Sequence, residues 1–353
     1  MWEGWSYPGQ FKLHNGGEYK MFSLGKTLRN TSLAALTSLA IASIPMVAFA
    51  QDVLNLKLGH IQSEQDLWHY GAQKFKEELE ARSDGKITLT IYPNSTIGGD
   101  RDLVEGMQMG TVDFGLIAGV LGNFEPSIQL LELPYLFRSQ DEFDTVIGGE
   151  IGAEIAENVR QNANVRILNW WERGSRQVTS KKPINGAEDL KGLKIRVPEI
   201  PAMVATWRAM GANPTPMAWS EVYTGLEQHV IDAQENPIPF IYGGRLGEVQ
   251  DYLAFTNHKF EYVTLAMSEL RWNQLTDEQK KIITEAAAAA TVAENEAVRT
   301  QTSEMLKKMV DQGLKVTEPN TDEIAAAAVA AHEPFAKTVN IDLYNRITTA
   351  LKR

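Results

Sequence analysis

The stretches LNLKL (54–58) and ITLTI (87–91) alternate apolar and polar side chains, and residues 67–79 between them carry apolar side chains at helical spacing. Alternation with a period of two predicts a strand, whereas apolar side chains every three or four positions predict an amphipathic helix. A strand, a helix and a second strand in this order form a βαβ unit, whose strands lie parallel. The stretch therefore predicts an α/β fold.

The next segment extends this unit by one more helix and strand. Asp100 stands where it could cap a helix with apolar Leu103 and Met107, and Gly110 is placed to end that helix. The apolar run 112–117 then predicts a buried strand. We expect a largely parallel sheet in this first lobe.

A second α/β set follows a long extended segment, residues 165–181, which is rich in Trp, Val and Ile. Its first strand is LKIRV (193–197), a helix with Ser220 as N-cap follows, and a strand is predicted near 231–234. Residues 260–267 form another long extended run. Two long strands that cross between two lobes predict a hinge.

A long helix is predicted near the C-terminus. The capping box TDEQ (276–279) opens it, and neither Pro nor Gly occurs before Gly313. An unbroken helix over 277–312 would span roughly 54 Å, enough to brace both lobes. A break within the alanine run 286–290 is the alternative.

The N-terminal residues have the order of a secretory signal. Within residues 21–50, basic residues precede the apolar run 33–42, and AFA (48–50) offers a cleavage site after Ala50. The apolar run is shorter than the roughly 20 residues of a membrane span. Residues 1–20 are interpreted as an upstream leader outside the native protein.

Composition excludes several classes of function. The 353-residue chain has a net charge of −11 and a pI near 5.2, which disfavours binding to nucleic acid or to an anionic membrane. It contains no cysteine, so lipid attachment at a cysteine, disulfides and thiolate chemistry are all excluded. We expect a freely diffusing protein of the Gram-negative periplasm, without membrane insertion.

No pattern in the sequence predicts catalysis. G-x-S-x-G, Walker-type, G-x-G-x-x-G and H-E-x-x-H motifs are absent, so we expect no enzyme, no cofactor and no metal. A secreted hydrolase is the alternative from another class, and it needs a nucleophile and a base. The histidines after residue 50 lack metal-ligand spacing; they are His60, His69, His229, His258 and His332.

Two arginines fall where the lobes would meet. Arg176 lies in the first long extended segment and Arg196 in the strand LKIRV. A guanidinium matches a carboxylate with two parallel hydrogen bonds. Arg196 also simply alternates with Ile195 and Val197, as on any solvated strand face, so both interpretations remain open.

Longer motifs resemble one protein family, the substrate-binding subunits of tripartite ATP-independent periplasmic (TRAP) transporters. The resemblance covers Val53 to the C-terminus. The motifs are RQVTS (176–180), DLKGLKIRVP (189–198), GANPTPMAWSEVY (211–223) and DAQENP (232–237), with YPNS (92–95), GGDR (98–101) and LPY (133–135) in the first lobe.

The resemblance implies roles for four residues. The arginine of K-I-R-V-P clamps the ligand carboxylate in this family, which indicates Arg196, while Arg176 and Asn236 assist. Trp219 would line the cleft, although a packed core indole is its alternative role. The implied fold is two α/β lobes of the Venus-flytrap type, with hinge strands and a long helix that spans both lobes.

The ligand is expected to be a sugar acid, an aldonate or uronate. Sialic-acid binders of the family carry a glutamate where this chain has residues 117–119 (IAG), so sialic acid is not expected. Hydroxyl groups of a sugar acid need buried polar partners. The first-lobe candidates, each of which could instead be a cap or a surface residue, are His60, Gln62, Glu64, Asp100 and Glu172, the last predicted on the strand face of Arg176.

The predicted lobes are residues 51–173 with 262–301, and residues 174–261 with 302–353. The expected partners are a small carboxylate and the membrane subunits of a TRAP transporter, and the protein is expected to act as a monomer. A C4-dicarboxylate, a 2-oxo acid or an amino-acid derivative is the alternative ligand; a dicarboxylate would call for a second cation. An ABC-type binding protein would lack these motifs.

Overall fold

The structure is a computed structural model that describes residues 53–353. The leader and the signal peptide predicted for residues 1–50 lie outside the described residues. None of the helices in residues 53–353 combines the length and the apolar composition needed to cross a bilayer.

Nine strands and thirteen α-helices make up the described chain. The strands are β1 (Leu54–Gly59), β2 (Ile87–Tyr92), β3 (Phe114–Ile117), β4 (Val165–Ser180), β5 (Lys194–Val197), β6 (Asn213–Pro216), β7 (Ala233–Pro237), β8 (Tyr252–Ser268) and β9 (Lys315–Thr317). The helices are α1 (Leu67–Arg82), α2 (Asp100–Met109), α3 (Ile128–Leu131), α4 (Gln140–Ile147), α5 (Glu150–Ala163), α6 (Pro201–Ala209), α7 (Trp219–Glu227), α8 (Ile238–Gly243), α9 (Glu269–Gln274), α10 (Asp277–Asp311), α11 (Asp322–Ala330), α12 (His332–Val339) and α13 (Ile341–Ala350).

The strands join one sheet in the order β2-β1-β3-β8-β4-β7-β5-β6, with β9 beside β8. The strand pairs β1–β2 and β1–β3 are parallel, as the sequence predicts, and so are β5–β6 and β5–β7. Long strands β4 and β8 pair antiparallel with each other between these two parallel sets. They connect the two α/β halves as the predicted hinge strands.

A one-residue bulge interrupts the β4–β8 pairing. Glu172 pairs with Tyr262 and Gly174 with Glu261, so Arg173 is an extra residue without a partner. Gly174 has a φ of 77°, a left-handed conformation that glycine adopts without strain. An extra residue reverses the faces beyond it, so Glu172 does not share the face of Arg176. The predicted shared face is wrong for this reason.

The long helix α10 is unbroken over 35 residues, about 52 Å. Thr276 accepts a hydrogen bond from the Gln279 main-chain N–H, and the Gln279 side chain accepts one from Thr276 N, which is the predicted capping box. The helix packs against α1 in the first half and against α8 in the second. It therefore braces both halves, and the predicted continuity is confirmed.

Two predicted helix caps are wrong. Helix α2 is capped by Gly99, whose N–H donates to the Asp102 side chain, and Asp100 is the first helical residue. Helix α7 begins at Trp219 with Ala218 as its N-cap, so Ser220 lies inside the helix. Both shifts free a polar side chain from a capping role.

A buried acid lies on α10. Glu294 is fully buried, and neither of its carboxyl oxygens makes a hydrogen bond within residues 53–353. Burial, followed by the charges of Asp66 and Glu172, raises the pKa of Glu294 well above its ordinary value. The folded environment therefore favours the neutral, protonated form of the Glu294 carboxyl.

We expect Glu294→Gln to stabilise the protein relative to the wild type, by an amount that is larger at pH 8 than at pH 5. The unfolded carboxyl releases its proton above pH 4.5 whereas the folded one keeps it, so wild-type stability falls as pH rises through this window. Glutamine cannot ionise and removes this dependence. Urea denaturation at both pH values measures the effect, and Glu296→Gln, an exposed neighbour, is the control. A pH-independent difference would contradict the expectation.

Candidate functional site

A cavity of about 270 Å³ lies between the two halves of the fold. Its lining comes from the α2 N-terminus and the segment after β3 in one half, from β4 in the hinge, and from β5, β7 and the start of α7 in the other. The volume lies near the lower end of the ~300–1,000 Å³ range of ligand pockets. A small molecule is the size of ligand that fits.

Arg196 of β5 is buried, with 4% of its surface exposed, and it lines the cavity. Its Nε and Nη2 both donate to the main-chain oxygen of Met217, at 2.9 and 2.7 Å, while Nη1 makes no hydrogen bond within residues 53–353. No carboxylate of the described chain forms a salt bridge with it, and burial lowers the pKa of Arg196 to about 10. The charges of Glu235, Asp100 and Glu199 favour the charged form, although none of these acids forms a salt bridge with Arg196, so the desolvated guanidinium can still bind an anion.

Arg176 of β4 lines the same cavity but is already paired. Its Nε donates to the Glu235 carboxylate, its Nη2 donates to Glu235 Oε1 and to the Glu235 main-chain oxygen at 2.6 Å each, and its Nη1 donates to Glu261 Oε2 at 2.5 Å. Burial opposes the charge, but Glu235 and Glu261 raise the pKa of Arg176. This arginine links the hinge strands β4 and β8 to β7.

Asn236 and Trp219 also line the cavity. The Asn236 Nδ2 donates to Gln234 at 2.8 Å, which fixes the amide on β7. Trp219 is half-buried, packs on Phe240 with ring centroids 4.3 Å apart, and lies 5.9 Å from the Arg196 guanidinium. The indole thus forms a wall of the cavity beside Arg196.

Asp100 lines the cavity from the first half of the fold. Part of the residue is exposed, but its Oδ1 is buried and has no hydrogen-bond partner within residues 53–353. Burial raises the pKa of Asp100 to about 7, while the charges of Arg173 and Arg196 act in the opposite direction. The carboxyl can accept or donate a hydrogen bond near neutral pH.

The other first-lobe candidates lie away from the cavity lining. His60 is buried against His69, with Nε2 and Nδ1 3.1 Å apart, and burial lowers its pKa to about 3. Gln62 is buried and Glu64 is exposed. Glu172 faces α10, where it binds Arg299.

The sequence analysis missed Arg173, which lines the cavity at the bulge. Its guanidinium carbon lies 4.7 Å from the Trp68 ring centroid and 4.3 Å from that of Phe240. Its Nη1 is 3.5 Å from Glu261 Oε2. The only signal in the sequence was the Arg-Gly pair at 173–174, since glycine inside a strand suggests a bulge.

No group of three or more His, Cys, Asp or Glu side chains in residues 53–353 could hold a metal ion. Two α/β halves, hinge strands and an arginine-lined cavity between the halves define a two-lobed solute-binding protein. The chain belongs to the bacterial extracellular solute-binding protein family 7 (DctP), whose profile matches residues 58–340. It is a substrate-binding subunit of the TRAP type, as the motifs indicate.

Similar proteins bear out this assignment. A solute-binding protein of Roseobacter denitrificans is 40% identical over 296 residues, covering 84% of this chain and 90% of the relative. The crystal structure of that TRAP protein, with bound L-galactonate, has a TM-score of 0.81 at 36% identity over 85% of this chain and 99% of that chain.

Two further relatives have different ligands, L-gulonate and sialic acid. A TRAP periplasmic protein of Haemophilus influenzae, solved with bound L-gulonate, has a TM-score of 0.80 at 31% identity, covering 84% of this chain and 99% of that chain. The sialic acid-binding periplasmic protein SiaP of Vibrio cholerae is 31% identical over 91% of this chain and 99% of the relative. The ligands named for these relatives, L-galactonate, L-gulonate and sialic acid, all carry a carboxylate.

Proposed function

We propose that the protein captures a sugar acid, an aldonate or uronate, and that Arg196 binds its carboxylate. The observation that carries this proposal is the buried guanidinium of Arg196, which has no acidic partner in the described chain. Asn236 and the Trp219 indole lie beside the same cavity and would position the ligand. The relatives solved with L-galactonate and L-gulonate support this class of ligand.

Among the buried arginines of the lining, Arg176 forms salt bridges with Glu235 and Glu261, and Arg173 forms one with Glu261, whereas Arg196 forms none within residues 53–353. The lining therefore provides one buried guanidinium without a salt bridge, which suits a single ligand carboxylate. The charged lining residues are four arginines and four acids: Arg101, Arg173, Arg176, Arg196, Asp100, Asp102, Glu199 and Glu261.

Binding would be linked to closure, because Asp100 belongs to one half of the fold and Arg196 to the other. A ligand that contacts both halves favours the closed state by its differential affinity for that state. The closed protein would then deliver the ligand to the membrane subunits of a TRAP transporter. The protein would act in the periplasm after removal of residues 1–50, as a monomer and without catalysing a reaction.

A thermal-shift screen tests the proposal on residues 51–353. The panel contains six-carbon aldonates, uronates, C4-dicarboxylates, 2-oxo acids and amino-acid derivatives. A ligand at a hundredfold excess over Kd stabilises the native state by about 2.7 kcal/mol, so a clear rise in melting temperature is expected with sugar acids. If only dicarboxylates raise the melting temperature, the ligand is a dicarboxylate and the proposed sugar acid is wrong.

A further inference from the structure

We infer that Arg173 and Asp100 form a second recognition pair in the cavity, which binds a hydroxyl group of the sugar acid and makes the site specific for hydroxylated monocarboxylates. This inference rests on the proposed function. Arg173 is assigned as the hydrogen-bond donor to this hydroxyl group, and Asp100 is assigned as the acceptor.

The hinge bulge places Arg173 in the cavity. Arg173 is the extra residue between the paired Glu172 and Gly174, and bulges of this kind re-aim a side chain beside a binding site. Only 5% of Arg173 is exposed, and its guanidinium packs against the rings of both Trp68 and Phe240. Contact with two rings restricts the side chain, so its N–H donors are positioned before a ligand binds.

One donor of this group has no partner. Arg173 Nη2 is buried and makes no hydrogen bond within residues 53–353, whereas Nη1 is within reach of Glu261. Asp100 Oδ1 is likewise buried and unpartnered, and Arg173 is the cation that acts on its charge most strongly. Both residues line the same small cavity, so it is bordered by a donor group and an acceptor group that have unsatisfied atoms within residues 53–353.

A hydroxyl group satisfies both atoms. Its oxygen accepts from Arg173 and its proton is donated to Asp100, whereas a methylene group would leave both buried atoms without a hydrogen bond. A second carboxylate could accept from Arg173, but it has no proton for the Asp100 oxygen and would place a like charge beside it. Sites that hydrogen-bond a hydroxyl reject analogues that lack it far more strongly than apolar pockets do.

Calorimetric titration of residues 51–353 with two kinds of ligand tests the pair. The first kind is six-carbon aldonates of the gluco, galacto and gulo configurations, and the second is hexanoate, which has the same chain length and no hydroxyl. We expect Arg173→Met to lower the affinity for the best aldonate at least about 50-fold. The affinity for hexanoate should fall less than about threefold. Asp100→Ala should lower the affinity for the aldonate about 10-fold. The double variant should lose less affinity than the product of the losses of the two single variants.

Arg166→Met is the matched control, because Arg166 also stacks on an indole, 4.7 Å from the Trp272 centroid, on the same strand. It should bind as the wild type does. Arg173→Lys replaces Arg173→Met if the latter does not fold, and it should also lose most aldonate affinity because an ammonium lacks the planar fork.

The outcomes separate this inference from the proposed function. Wild-type protein that binds an aldonate while folded Arg173 variants bind it equally well would overturn the inference alone. Equal losses for aldonate and hexanoate would also overturn it, since they indicate a structural effect. Tighter binding of succinate than of any aldonate would make Arg173 a second carboxylate clamp and overturn both proposals.

Discussion

Arg196→Ala should lower affinity for the best sugar acid at least about 100-fold, a loss of about 2.7 kcal/mol, without lowering the melting temperature of the ligand-free protein. The substitution removes the partner of the ligand carboxylate, and truncating one member of a buried charged pair costs about 2–5 kcal/mol of binding free energy. Arg196→Lys should also bind poorly, since an ammonium cannot form two parallel hydrogen bonds. Titration calorimetry measures the affinities.

Stability should not suffer because Arg196 is a desolvated cation without an acidic partner in the described chain. Its removal relieves a desolvation cost and loses hydrogen bonds to one main-chain oxygen, that of Met217. The melting temperature of the ligand-free variant is therefore expected to equal or exceed that of the wild type. A folded Arg196→Ala variant that binds the sugar acid normally would rule out the clamp.

Arg176→Met should have the opposite profile and destabilise the protein by about 3–5 kcal/mol. The change leaves the buried carboxylates of Glu235 and Glu261 without the cation that binds both. Glu261 keeps Lys259 at 2.7 Å, and Glu235 keeps His258 at 2.9 Å, so the hinge is weakened rather than abolished.

Urea denaturation of ligand-free protein measures this loss, with Arg196→Met as the matched control of equal side-chain change. The two variants should differ by at least about 2 kcal/mol, and only Arg176→Met should be destabilised. Equal stability of the two variants would contradict the structural role of Arg176.

The strands and helices were predictable where apolar side chains recur along the sequence with the period of a strand or a helix. Alternation over 54–58 and 87–91 found β1 and β2, and the capping box with the absence of Pro and Gly found the whole of α10. The alternation failed at Arg173, because a bulge depends on the partner strand and one extra residue exchanges the two faces.

The difference between the two arginines was not predictable from local sequence. Arg176 and Arg196 both occur in motifs of the family, but only Arg176 meets acids, and those lie 59 and 85 residues further along the chain. Likewise, the polar run at His60, Gln62 and Glu64 follows a strand of the correct half. The turn after β1 nonetheless places Ile61, rather than these three side chains, in the cavity lining.

The most direct test of the central claim compares an acid with its neutral amide. Titration calorimetry of residues 51–353 with the best-binding six-carbon aldonate and with the corresponding aldonamide changes only the group assigned to Arg196. We predict binding of the acid and at least about 100-fold weaker binding of the amide, with the difference abolished in Arg196→Ala. Equal affinity for the acid and the amide would contradict the assignment of Arg196 as the carboxylate site.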